Sequence, residues 1–334
     1  MLLEPSFLAH ARAHLTPERC LAVEVQGSSP QDQLWIQAQL ARLDAVIDLD
    51  LVPADASRPA GLVVSQQPPS FGLYGLSLPG DTGWLVQWRA IGANGLLSNA
   101  NDRNTVVHEL GHALGMGHPE GKPNSKRYST STTVMSYRPG PKGWADWYRL
   151  ADLAALQQSW NPEVAADGTM TWFTSLGGVV IHTDQRLEAA PEGSVLQGGD
   201  RSDGGTAGDL LIGGPGPDQL FGGWGRNWLN GEAGDDLLVG GPEADVLIGG
   251  PGSDRLSTGG GADVVASCRD GSFDSVVVPA RARAKELPLI EALDAVDRVF
   301  LTGAGSKRVS LQAGDLRGLA GFEVLVGDRS ALFV

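Results

Sequence analysis

Cysteine is almost absent. Cys20 and Cys268 are the only two in 334 residues, which is no disulfide framework. They read as two buried thiols, with a single bridge left open. Basic charge is short as well: 25 Lys and Arg against 39 Asp and Glu give a net charge of −14. That balance argues against a nucleic-acid or anionic-membrane partner. No apolar run approaches the roughly 18 residues of a membrane span. The first stretch, MLLEPSFLAHARAHLTPERC, lacks a basic start followed by an apolar run, so it does not read as a cleaved secretory signal. Aromatics are scarce at 6%, while glycine is abundant at 46 residues. That pairing implies that part of the chain is not an ordinary globular domain. The length suffices for two domains.

Composition divides the chain. Residues 20–165 read as a mixed α+β domain after a short segment, 1–19. CLAVEVQ, IDLDLVP, AGLVVSQ and GWLVQW read as strands. PQDQLWIQAQLARLDAVI carries Leu34, Ile36, Leu40 and Leu43 at helical spacing. LADLAALQQSW is a second clear helix. Residues 166–197 read as a connector, 198–266 as a repeat and 267–334 as a β-rich cap.

Three of the six histidines fall within eleven residues, HELGHALGMGH. On a helix, His108 and His112 share a face. Glu109 lies beside that face, within reach of a metal-bound water. Gly115 allows a backbone turn that side-chained residues resist, which brings His118 round. Three neutral nitrogens leave one coordination position of a zinc ion open, as a catalytic site requires. His10 and His14 have helical spacing but neither a glutamate nor a third partner, and read as a solvated helix. His182 stands alone and reads as structural.

From Gly204 the chain runs in nonapeptides: GGTAGDLLI, GGPGPDQLF, GGWGRNWLN, GEAGDDLLV, GGPEADVLI, GGPGSDRLS, TGGGADVVA. Position eight is aliphatic throughout. Position six is Asp209, Asp218, Asn227, Asp236, Asp245, Asp254 and Asp263. The pattern resembles the calcium-binding RTX repeat, GGxGxDxUx. Glycine turns would point carbonyls inward, aspartates would add hard oxygens for Ca2+, and position eight would fill a thin core. Two nonapeptides would make one coil of a parallel β-roll, so repeat n would lie beside n+2. Residues 195–278 hold 13 acids and 4 bases, which is −9 of the −14.

Downstream of the histidines, TTVMSYRPG resembles the Met-turn of metzincin proteases. Zinc motif, RTX repeat and β tail together resemble the serralysin branch of that family, over roughly residues 20–334. The resemblance implies a metzincin catalytic domain, a twisted mixed sheet with two to three helices, ahead of the roll. It implies a secreted zinc endopeptidase acting on polypeptide substrates, a monomer exported by type I secretion machinery that reads an uncleaved C-terminal signal. Glu109 would be the general base, Met135 would lie beneath the metal, and Tyr137 would be a further zinc ligand that stabilises the oxyanion. PEGKPN after His118 departs from the family's Pro-Gly-Asp-Tyr-Asn. Arg19-Cys20 is a faint echo of a cysteine switch, with strand packing the preferred role. The competing class is a calcium-dependent surface or adhesion protein carrying a relic protease domain.

Overall fold

A computed structural model describes residues 3–16, 19–67, 73–91, 99–174, 177–199, 207–266, 272–279, 288–291, 297–302, 309–316, 319–326 and 329–333. The chain is a β-rich mixed α/β protein with two compact units, 1–165 with 171–179, and 166–170 with 180–334.

The first unit is built on α1 (Pro5–Arg12), β1 (Cys20–Gln26), α2 (Pro30–Asp44), β2 (Asp50–Pro53), β3 (Leu62–Ser65), β4 (Gly75–Gly80), β5 (Gly83–Trp88), α3 (Ala100–Ala113) and α4 (Leu150–Trp160). Its five-stranded sheet has the order β2-β1-β3-β5-β4. All pairs are parallel except the edge pair β4–β5. β1 and α4 coincide with the expected segments. α2 starts where Ser29 accepts a bond from the Asp32 amide and Pro30 presets the first turn. It buries Ile36, Leu40 and Leu43, whereas Leu34 is 67% exposed. The apolar face is therefore set by Ile36, Leu40 and Leu43 at successive steps of four and three, and Leu34 faces away from it.

β4 was not expected. GLSLPG lies outside the segments assigned from sequence, and its Pro79 is tolerated because the strand lies on the sheet edge. α1 is likewise more than a solvated segment. Ala11 is fully buried, the His10 ring packs edge-on to Trp84 at 5.2 Å, and the Glu4 amide donates to Gly115 O. The apolar stripe on α1 thus closes the core of the first unit, so the segment 1–19 belongs to that domain. Cys20 is half-buried, its Sγ 3.3 Å from Asp50 Oδ2; Cys268 lies outside the described residues. His182 is exposed on a later strand.

The expected connector consists of strands: β6 (Thr169–Thr174), β7 (Gly177–Glu188) and β8 (Val195–Gln197). The second unit continues with β9 (Gly208–Gly214), β10 (Gln219–Phe221), β11 (Trp228–Glu232), β12 (Leu237–Gly241), β13 (Val246–Ile248), β14 (Arg255–Gly259), β15 (Val264–Ala266), β16 (Ser275–Pro279), β17 (Leu289–Glu291) and β18 (Arg298–Thr302). Even-numbered strands from β8 to β18 form one parallel sheet, and odd-numbered strands from β7 to β17 lie in the other. Leu211 pairs with Leu229, Leu247 and Val265 in turn, and Leu220 with Leu238 and Leu256. The step is two nonapeptides, as the repeat predicts. These position-eight side chains are fully buried between the sheets. Each adds about 1.5–3 kcal/mol of burial, and a lone coil would bury only two.

The roll is longer than the repeat. β7 pairs with β9 at its start, and β16, β17 and β18 continue both ladders in parallel past residue 266. Beyond β18, β19 (Val309–Leu316), β20 (Leu319–Val326) and β21 (Arg329–Phe333) pair antiparallel with one another in a cap-like arrangement, and β21 joins β17 in parallel where Leu289 meets Phe333. Among the described residues, no helix is long and apolar enough to cross a membrane.

Candidate metal centres

α3 begins at Asn99, whose side chain accepts from the Asn101 amide. It carries His108, Glu109 and His112, all buried. Leu114 caps the helix and Gly115 follows at φ +96, the positive-φ exit expected of that glycine. The turn returns the chain so that one nitrogen each of His108, His112 and His118 lies within 4.8 Å of the others. The ring nitrogens are sorted by their partners. His108 Nδ1 lies 2.9 Å from Val134 O, and His112 Nδ1 lies 2.7 Å from Met116 O. Carbonyls only accept, so both Nδ1 atoms carry the proton and Nε2 is left as the lone-pair nitrogen. Nε2 of His108 and of His118 is buried without a hydrogen-bond partner among the described residues. Burial lowers the pKa of all three imidazoles, His118 to about 4, which keeps them neutral. Neutral imidazoles with free, converging nitrogens are the donor set zinc takes, and these residues fit it.

Two elements complete the pocket. Met135 is fully buried against α3, where a Cβ on Gly111 would come within 2.8 Å of its Sδ. The turn around Met135 is held from α4 by Asp152, which accepts from Thr133 Oγ1 and the Val134 amide and is itself buried. Asp152 thus acts on His108 through the Val134 peptide, a link no short-range pattern reveals. Tyr137 stands with its ring 5.1 Å from that of His108 and 5.0 Å from that of His118. Burial raises its pKa, with Glu109 adding to the shift.

Glu109 sits between α3 and β4. Burial pushes its carboxyl up to about 7, against hydrogen bonds from Ser77 that lower it. A cleft of about 460 Å³ opens beside it, lined among others by Tyr74, Asn101, Asn104, Asn124 and Trp144. The sequence-predicted residues His108, Glu109, His112, His118, Met135 and Tyr137 are therefore brought together. Ser77 and Asp152 are added by the structure.

The second candidate centre is the turn column of the roll. Asp209, Asp218, Asn227, Asp236, Asp245, Asp254 and Asp263 are all buried. The amide of one position-six residue donates to Oδ1 of the residue 18 further on: Asp209 to Asn227, Asp218 to Asp236, Asn227 to Asp245, Asp236 to Asp254, Asp245 to Asp263. Asp274 and Asp297 continue one column at steps of 20 and 23. Asp236 Oδ2 is buried without a hydrogen-bond partner among the described residues. Burial raises the carboxyl pKa of Asp236 and Asp245 to about 7 and of Asp263 to about 8. Buried carboxylates stacked this way call for a hard cation, and the donor set fits Ca2+. Asn227 differs: its Nδ2 lies 3.1 Å from Asp245 Oδ1, an amide proton where the other coils offer a second carboxylate.

No curated protein matches the chain. The family model that does match is the RTX calcium-binding nonapeptide repeat, over residues 203–238 and 231–265; these repeats are present and support calcium binding by the roll.

Proposed function

We propose that the first unit is a zinc-dependent endopeptidase of metzincin type, carried on a secreted chain whose roll is held by calcium. The observation that carries this reading is the sorting of the histidine nitrogens, with Nδ1 of His108 and His112 anchored on carbonyls, Nε2 of His108 and His118 buried without a partner among the described residues, and one nitrogen of each of the three converging, next to a buried glutamate on the cleft wall. His108, His112 and His118 would hold the ion. Zinc bound there supplies Lewis acidity, which acidifies a water and polarises a peptide carbonyl. Glu109 takes the proton of the attacking water and returns it to the leaving amine. Its raised pKa suits both directions of that transfer. Tyr137 brings a phenol to the rim of the triad, where its O–H can donate to a carbonyl oxygen that gains charge. Tyr74 and Trp144 give the cleft apolar walls, and three asparagines give it neutral polar edges. Among the described residues, Glu109 is the one carboxylate that lines it and no lysine or arginine does, so a large neutral substrate side chain is expected there.

The repeats support an extracellular setting, since extracellular calcium modules operate at about 10⁻⁴–10⁻³ M. Export by the type I route belongs to the same reading. Casein hydrolysis with and without a zinc chelator tests the activity. Hydrolysis that is lost with chelation and restored by zinc supports it. A zinc-loaded, folded chain that cleaves no casein and no peptide overturns it.

A further inference from the structure

Glu109 is approached from β4 by Gly75 and Ser77, two positions apart and hence on one face of the strand. Ser77 Oγ lies 2.8 Å from Glu109 Oε2 and 2.7 Å from Glu109 main-chain O. Gly75 lies beside the other carboxylate oxygen and leaves no room for a side chain: a Cβ there would sit 2.6 Å from Oε1 and 2.5 Å from Thr105 Cγ2. The two oxygens of one carboxylate therefore have different surroundings. Oε2 is tied to a hydroxyl, whereas Oε1 faces a strand position with no side chain. Gly75 and Glu109 both line the cleft.

We propose that Ser77 is the positioning residue for Glu109. Its hydroxyl pins Oε2, which leaves Oε1 as the atom that accepts the proton, and Gly75 provides the clearance that keeps Oε1 accessible. This rests on the endopeptidase reading above. The physical need is plain. The terminal torsion of a glutamate is broad, and burial alone does not fix its rotation. A hydroxyl on the neighbouring strand fixes it. Because both acceptors belong to residue 109, either bond holds the same side of α3 to β4. The edge strand and the carboxylate are thereby kept in one frame, and a base displaced by 1 Å loses much of its rate.

The test compares full-length wild type with Ser77→Ala, Ser77→Thr and Gly75→Ala. It measures zinc stoichiometry, kcat and KM on a peptide, and crystal structures of the metal-free wild type and Ser77→Ala. A reacting group misplaced by about 1 Å loses on the order of 100-fold in rate. Ser77→Ala is expected to lose that much in kcat with KM and zinc content unchanged. Ser77→Thr, which keeps the hydroxyl, is expected to recover most of it. Gly75→Ala is expected to lower kcat as well. In a Glu109→Gln background, Ser77→Ala should cost nothing further. The wild-type crystal should show one orientation of the Glu109 carboxylate and the Ser77→Ala crystal more than one. If Ser77→Ala does not accumulate folded, Ser77→Cys, a weak donor of similar volume, takes its place with the same expectation. An active wild type with unchanged kcat in Ser77→Ala, or equal losses in the Ala and Thr variants, overturns the assignment of Ser77 alone. A zinc-loaded wild type inert on every peptide overturns the endopeptidase reading, and this assignment with it.

Discussion

At the scale of single residues, the clearest consequence concerns Glu109. Glu109→Gln keeps the volume and the Ser77 contact but removes the proton acceptor. The fold and zinc content should persist while kcat falls by about 10²–10⁴-fold; comparable proteolysis by the variant would exclude Glu109 as the base. Asn227 is the corresponding test in the roll. Its amide donates toward Asp245, and as a neutral ligand it would weaken its two pairings. Asn227→Asp should raise calcium affinity severalfold in an isothermal titration. The same change sets two carboxylates together and should destabilise the calcium-free roll. An unchanged affinity would show that Asn227 is no ligand. The histidines, Glu109 and the position-six residues were legible because their spacing is short and each type is chemically restricted. Ser77 and Asp152 were not, because they meet their targets 32 and 18 or 19 positions away, across a strand and a helix. A serine in GLSLPG and an aspartate opening a helix look ordinary until the chain is folded.

At the scale of elements, the turn around Met135 depends on a helix glycine. Gly111→Ala would bring a Cβ within 2.8 Å of Met135 Sδ. Overpacking of this kind costs about 1–3 kcal/mol. Thermal unfolding of the first unit should shift down accordingly, and the shift should shrink when Met135→Leu is combined with it. The roll makes a different prediction, in pH. Asp236, Asp245 and Asp263 have folded-state pKa values of about 7, 7 and 8, well above the ordinary aspartate value of 3.8. The folded roll therefore binds more protons than the unfolded chain between about pH 4 and 8. Its calcium-free form is favoured below about pH 4 and loses that support as pH rises through 7–8. Circular dichroism without calcium should show β-structure fading across that window. Added calcium should restore it at pH 8; fading in the opposite direction would mean that these carboxyls are not buried together. The repeat was readable where its period held. β16 and β18 escaped because insertions stretch the steps to 20 and 23 residues, which hides a ladder that position-six aspartates still keep, and β17 escaped because Leu289 pairs with Val264 across a step of 289 − 264 = 25. β4 escaped because proline and glycine in a short segment spell a turn, and only an edge position makes them compatible with a strand.

At the scale of the whole molecule, the two units carry separate cores. The buried cluster of the first runs from Ala11 to Trp160, with Phe173 packed against it, and that of the second from Leu211 to Ile290. The first is built on three large fully buried tryptophans, Trp84, Trp88 and Trp160, with helices against a sheet. The second is a single file of leucines and valines between two thin sheets, and its turns bury acidic side chains that repel one another without a cation. Calcium should therefore stabilise one unit and not the other. A ligand bound only by the folded form adds RT ln(1 + [L]/Kd), about 2.7 kcal/mol at a hundredfold excess over Kd. Scanning calorimetry of the full-length chain should give two transitions. One should climb with calcium concentration, and the other should stay fixed under calcium yet fall when zinc is stripped. A calcium-selective chelator should abolish the first while peptide hydrolysis by the remaining folded unit persists. A single transition that moves as a whole with calcium would mean that the first unit draws its stability from the roll, and the separation of the cores would then have no thermodynamic counterpart.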